Sequence, residues 1–313
     1  MLGRTANDLF WMARYMERAE NMARLLEVGF RLAMLPGDGE KGEWRSTLRS
    51  AGCEAGYLAR HGEPEASRIV EYLLLDRDNP SSVHACIAAA RSNARAQRTA
   101  ITREMWESIN TAWLEFSSSA YSRIEANDLP ALFDWIRERS SLFRGALLNT
   151  ILRNDTYYFT QLGTFLERAD NTARILDVKY YVLLPQNEVV GGGLDNAQWA
   201  AILRSVSAHR SFRWVYRNAF KPWHIADFLI LNPKLPRSLR SCCQEIATAL
   251  EGLEQLYGQK PDCHVHAGEM LNRLVDAEMT GIFRQGLHEF LQDFIAGNNR
   301  LAADIATAYH FNV

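Results

Sequence analysis

Glu17-Arg18-Ala19-Glu20-Asn21-Met22-Ala23-Arg24-Leu25-Leu26-Glu27-Val28 returns 150 residues later as Glu167-Arg168-Ala169-Asp170-Asn171-Thr172-Ala173-Arg174-Ile175-Leu176-Asp177-Val178. Eight of the twelve positions are identical and three more are conservative exchanges. Around the first copy, Met12, Tyr15, Met16, Ala19, Ala23 and Leu26 recur at spacings of three and four, which predicts an amphipathic helix over residues 5–35. A core alone would preserve the apolar stripe. Here the charged letters persist as well, so they become the first candidates for function.

The repeat continues outward. Trp44, Leu48, Arg49 and Ser50 match Trp199, Leu203, Arg204 and Ser205 at an offset of 155. Tyr72 to Asp76, Pro80, Ser82 and Val83 then match Phe228 to Asn232, Pro236, Ser238 and Leu239 at 156. Three blocks in one order predict two homologous halves, too long for a solenoid repeat. The expected fold is an all-α multi-helix bundle built by internal duplication. Its halves, residues 1–152 and 153–313, are expected to pack as one globular unit. Further helices are predicted over 43–60, 64–76, 81–120 with a break near Thr102, and 129–149. The second half is predicted to hold helices at 155–184, 195–218, 236–257, 267–296 and 298–310. Pro36 to Gly39 and Pro185 are expected to stop the two motif helices, and Asn187 to Gly193 to form a flexible link. Tyr72–Leu75 and Phe228–Leu231 are short apolar runs that suit buried helix ends.

With 313 residues, 47% hydrophobic and 23% charged, the chain can bury a substantial core. A formal net charge of −2 supplies no global field for nucleic acid or an anionic membrane. There are 30 Arg against 5 Lys, and Arg offers a planar fork suited to carboxylates and buried pairs. An Arg-favouring coding bias explains that ratio equally well. No basic-plus-apolar leader and no membrane-length apolar run is seen, and the five cysteines are scattered, so a soluble cytoplasmic protein is expected.

At 100° per residue, Arg14, Glu17, Asn21 and Arg24 share a face opposite the apolar stripe, with Glu20 and Glu27 at its border. A solvated face would gain only about 0.2–0.5 kcal/mol from each pair such as Glu20–Arg24 or Asp170–Arg174. So little does not explain persistence of the letters in both halves. The alternative is a covered polar seam between the two motif helices, acting as a structural ion-pair network, a ligand site, or both. Substrate-binding candidates there are Arg14, Arg18, Glu20, Asn21, Arg24, Arg168, Asp170, Asn171 and Arg174, with Glu17 and Glu167 as candidate general bases.

Arg91, Arg95 and Arg98 form a basic stripe followed by Glu104 and Glu107. A solvated face is the plain reading, and Arg95, Arg98, Glu104 and Glu107 are kept as further binding candidates. At Leu235-Pro236-Arg237-Ser238, Pro and Ser suit a helix start, where Arg237 could border an anion site or Ser238 simply cap the helix. No Glu has a His three residues on, and Cys263-His264-Val265-His266 with Glu269 lacks a partner cluster, so no metal is expected. No nucleotide loop or nucleophile elbow is present, and no cofactor is expected.

Together these residues resemble the bacterial alpha-E family. The pieces that carry the likeness are Leu9 to Leu26, with Trp11, Arg14, Tyr15 and the Glu-Arg-Ala-Glu-Asn core, and Asn93-Ala94-Arg95 running to Trp106, Glu107 and Asn110. Phe159 to Asp177, with Gly163, and Phe228 through Pro236-Arg237-Ser238 complete them. Two positions depart from the family pattern: Ser92 stands where Glu is usual and Asn232 where Asp is common. The resemblance implies an all-helical protein encoded beside a circularly permuted ATP-grasp protein, often with a transglutaminase-like protease. It implies service to an amide or peptide ligase system.

Three functions follow as expectations. The chain is an accessory protein of an ATP-grasp ligase that holds an amino acid or peptide in the Arg/carboxylate seam. Alternatively it is itself an enzyme using Glu17 or Glu167, or it is a helical scaffold only. Partners are expected to be the ligase and the protease, not nucleic acid or membrane, and the oligomeric state stays open.

Overall fold

The structure, a computed structural model, describes residues 1–35, 40–118, 126–181, 192–217 and 220–311. Fifteen α-helices and no strand occur among them. The all-α expectation holds. In order they are α1 Gly3–Ala33, α2 Glu40–Ser50, α3 Glu54–His61, α4 Ala66–Leu74, α5 Val83–Ala96, α6 Arg103–Phe116 and α7 Leu129–Thr150. Then follow α8 Asp155–Tyr181, α9 Gly193–Ser205, α10 His209–Tyr216, α11 Pro222–Ile230, α12 Leu239–Tyr257, α13 Asp262–Val275, α14 Met279–Gln285 and α15 Leu287–Ala308.

Helix ends have local causes. Ser82 and Ser238 cap α5 and α12 by accepting the N–H of Ala85 and of Ser241, each at 3.0 Å. Thr102 caps α6 through the N–H of Met105, which makes the expected break there a full stop between two helices. The expected continuous helix over 43–60 is instead two, divided where Gly52 takes φ +69°. Likewise 195–218 divides at Ser207, φ 57°. The span 267–296, expected as one helix, divides among α13, which begins earlier at Asp262, α14 and α15, and α15 runs unbroken through the expected break at 297. Both short apolar runs do close buried helices, α4 and α11. Pro36 to Gly39, Pro185 and most of the glycine-rich link lie outside the described residues.

The helices assemble as two four-membered rings. α1, α5, α6 and α7 pack in one cycle, and α8, α12, α13 and α15 in the other. The rings meet along α1 and α8, the most extensive helix contact in the chain, while α2–α4 and α9–α11 cover the ends. α1 and α8 run side by side in the same direction, since Phe10 lies against Gly163 and Glu17 against Arg168. Each is therefore a member of its own ring and a wall of the other. That is why the middle turns of both helices are buried on nearly every side, most of their charged residues included.

Apolar clusters cross this boundary. Leu9, Met12 and Met16 of α1 pack with Phe159, Leu162 and Leu166 of α8. Leu25 and Val28 join Ile175 and Leu176. Each fully buried Leu, Met or Phe is worth about 1.5–3 kcal/mol, so the paired helices form the principal core. A turn over residues 151–154 separates α7 from α8. Among the described residues no helix is long and apolar enough to cross a membrane.

Candidate functional site

Between α1 and α8 the charged motif residues interlock reciprocally. Arg18 bonds Glu167 through Nε (2.5 Å) and Nη2 (3.0 Å), and Arg168 bonds Glu17 at 3.0 Å through both Nε and Nη2. Arg24 pairs with Glu20 and reaches the carbonyl of Ser205 at the end of α9. Arg174 pairs with Asp170 (2.6 Å) and reaches the carbonyl of Ser50 at the end of α2 (3.3 Å). The covered polar seam is present, and each side supplies the counter-ions of the other.

The two sides are not equally filled. Around Glu17 and Glu20 four guanidiniums gather: Arg24, Arg144 from α7, Arg168, and Arg237 from the turn before α12. Arg237 also donates to Asn21 Oδ1 at 3.4 Å. This side is closed. Around Glu167 and Asp170 stand Arg14, Arg18 and Arg174, and a cavity of about 240 Å³ remains between them. Far less space, about 10–15 Å³, holds one water. Asn21, Asn171, Ser81, Gly52 and Asn299 complete much of the wall. Asn171 is 4% exposed, yet its Oδ1 has no hydrogen-bond partner. Arg14 reaches Glu167 through Nε (2.8 Å), which leaves its two Nη groups for a further acceptor. Its guanidinium carbon lies 4.7 Å from the Trp11 ring centre, which holds the fork in place.

Electrostatics oppose the general-base role expected for Glu17 and Glu167. Burial alone would raise both carboxyls. Arg168, Arg237 and Arg144 overcome it at Glu17 and hold that group low. Arg18 and Arg14 bring Glu167 down to about 2. A carboxylate so acidic is a poor proton acceptor near neutrality, and its oxygens are already bonded to guanidiniums. Burial, followed by the nearby Arg24, pushes Arg237 down to about 10.

These depressed carboxyls couple folding to pH. Glu17, Glu20 and Glu167 all titrate lower folded than unfolded. The stability they contribute is complete above the unfolded value near ~4.3 and is lost as pH falls through the folded value. For Glu167 the window closes near 2. Urea midpoints measured from pH 6 to pH 2 are expected to drop steeply below pH 5. Glu167→Gln should flatten that drop, and an unchanged slope would refute the assignment.

Other candidates are placed elsewhere. Arg95 on α5, Arg98 in the turn after it, and Glu104 and Glu107 on α6 are exposed and do not join the seam. Ala90 and Ala94 take the inward face of α5, which turns the Arg stripe outward. Arg98 lies 5.1 Å from the Trp106 ring centre and Glu107 pairs with Arg103. At the start of α12 Ser238 caps the helix, the plainer of the two readings, and Arg237 turns to Glu20. His264 bonds Tyr309, and His266 bonds Asp304. Among the described residues no group of three His, Cys, Asp or Glu is arranged to hold a metal ion.

The departures from the family pattern also find a place. Asn232 Oδ1 accepts the N–H groups of Lys234 and Leu235, as Asp76 Oδ1 accepts those of Asp78 and Asn79. Either residue type makes that turn, so the carboxylate is dispensable. Ser92 is exposed on α5. Arg144, Ser81 and Asn299 are seam residues that spacing did not single out. Ser81 was findable, because the repeat aligns it with Arg237.

A family model, Alpha-E, described as "a predicted alpha-helical domain with a conserved ER motif", matches residues 1–310. The chain belongs to the Alpha-E family. Glu-Arg stands at 17–18, 138–139 and 167–168, and the first and third of these are the dipeptides that interlock across the seam. No curated protein and no solved structure matches the chain.

Proposed function

We propose that this chain is the helical accessory protein of an ATP-grasp amide or peptide ligase system, and that it holds an amino acid or peptide in the cavity between α1 and α8. The observation that carries the reading is the open side of the seam. There a half-buried, arginine-lined space keeps the Arg14 Nη pair uncommitted beside the carboxylates of Glu167 and Asp170. Three guanidiniums against two carboxylates leave one positive charge for a ligand carboxylate, which an Arg fork binds in bidentate fashion. Asp170 and Asn171 stand ready for a cationic group. A zwitterion satisfies both. The ligase and its protease companion enter through the family resemblance alone.

The test is co-purification with the neighbouring ATP-grasp protein, followed by ligation assays with and without this chain. Addition is expected to raise ligation at least about tenfold, and Arg14→Ala, which removes about 1.5–3 kcal/mol of charged hydrogen bonding, to cancel the gain. Full-rate ligation without the chain would refute the proposal.

A further inference from the structure

The turns that lead into α5 and α12 are the same device 156 residues apart. Ser82 Oγ donates to the Asp76 carbonyl and Ser238 Oγ to that of Asn232. Cys86 Sγ contacts the Pro80 carbonyl at 3.6 Å and Cys242 Sγ that of Pro236 at 3.8 Å. Together with the side-chain-closed turns at Asp76 and Asn232, these bonds place Ser81 and Arg237 at the same point of the two turns. Arg237 projects into the closed side and donates to Glu20 and to Asn21 Oδ1. Ser81 lines the open side together with Asp170 and Asn171, the residues aligned with Glu20 and Asn21. The short Ser side chain leaves space where the longer one would lie. Asn171 Oδ1, which aligns with the Asn21 oxygen that accepts from Arg237, has no hydrogen-bond partner.

We infer that the cavity beside Ser81 is a guanidinium subsite, which takes the arginine side chain of a ligand where the other side uses its own Arg237. Asp170 and Asn171 Oδ1 accept from the guanidinium in the manner of Glu20 and Asn21. The planar fork suits this pair better than a point-like ammonium. The inference names the side chain of the ligand held under the proposed function and rests on that reading only for the origin of the ligand.

Two probes and two variants test it. Agmatine, at saturating concentration, is expected to raise the melting temperature of the full chain by about 3–6 °C, and butylamine by far less. Ser81→Arg fills the cavity from within. It should melt higher without ligand and bind agmatine at least about tenfold more weakly by calorimetry. Should that variant fail to fold, Arg237→Ser supplies the check, because it opens a matching cavity whose lost stability methylguanidinium should restore. Equal agmatine and butylamine shifts, undiminished agmatine binding by Ser81→Arg, or no rescue of Arg237→Ser would overturn the inference. Ligation assays separate it from the functional reading. Agmatine binding without any effect on the ligase removes only the function. Ligase stimulation by acceptors that lack a guanidinium, with no agmatine binding, removes only the subsite.

Discussion

Glu17→Gln is expected to destabilise the fold by about 3–5 kcal/mol, the cost of breaking a buried ion pair from one end. Glu17 is 2% exposed and receives Arg168 twice, Arg144 at 3.1 Å and Arg237 at 3.2 Å. The neutral amide keeps the shape and removes the charge, so four guanidiniums are left around one remaining carboxylate, Glu20. Exposed pairs such as Arg103–Glu107 are worth only about 0.2–1 kcal/mol, which sets the contrast. Chemical denaturation of both variants, Glu17→Gln and Glu107→Gln, makes the comparison internal. A Glu17→Gln loss below about 1 kcal/mol would show that the seam is solvated. A catalytic base would instead lose turnover with stability intact.

The second large effect comes from a single methyl. Gly163→Ala places a carbon 2.1 Å from the Phe10 carbonyl oxygen and 3.2 Å from Ala13 Cβ. Inside a helix this exchange ordinarily stabilises by about 1 kcal/mol. Here the obstacle is backbone of the partner helix, which no rotamer change can move. α1 and α8 must separate, and the ion pairs between them lengthen together. A cost of about 3 kcal/mol is expected, at the upper end for over-packing. Thermal melts followed by circular dichroism check the sign, and a more stable variant would contradict the close approach.

The sequence made some of this visible for physical reasons that can be named. Period and capping residues are local, so α1, α8 and the Ser-capped starts of α5 and α12 could be read directly. The repeat supplied the long-range link, because a charge pattern kept in two helices asked for a shared, covered seam. Helix breaks at Gly52 and Ser207 were hidden, since φ is set by packing and Ser carries no strong signal for it. Arg144 was invisible for a different reason. It lies on α7, which no motif tied to α1, and its role comes only from how α7 closes the first ring. The Arg95 stripe could be read as one face from its spacing, and the plain reading of a solvated face agrees with its exposure, which Ala90 and Ala94 on the inward face of α5 set. Arg237 was noticed for its place before a helix, and its true partners, Glu20 and Asn21, are more than 200 residues away.

The reciprocal pairing of α1 with α8 sets the order of events during synthesis. At about 5–20 residues per second, the ribosome needs roughly 8–30 s to deliver the counter-ions of the first helix after that helix has emerged. For that interval a long segment carrying apolar and charged groups waits beside the exit tunnel with half of its interior missing. The last helix of the second ring, α15, follows α8 only after α9 to α14 have been made. Such a chain commits late, and the nascent protein depends on whatever shields α1 until α8 has emerged.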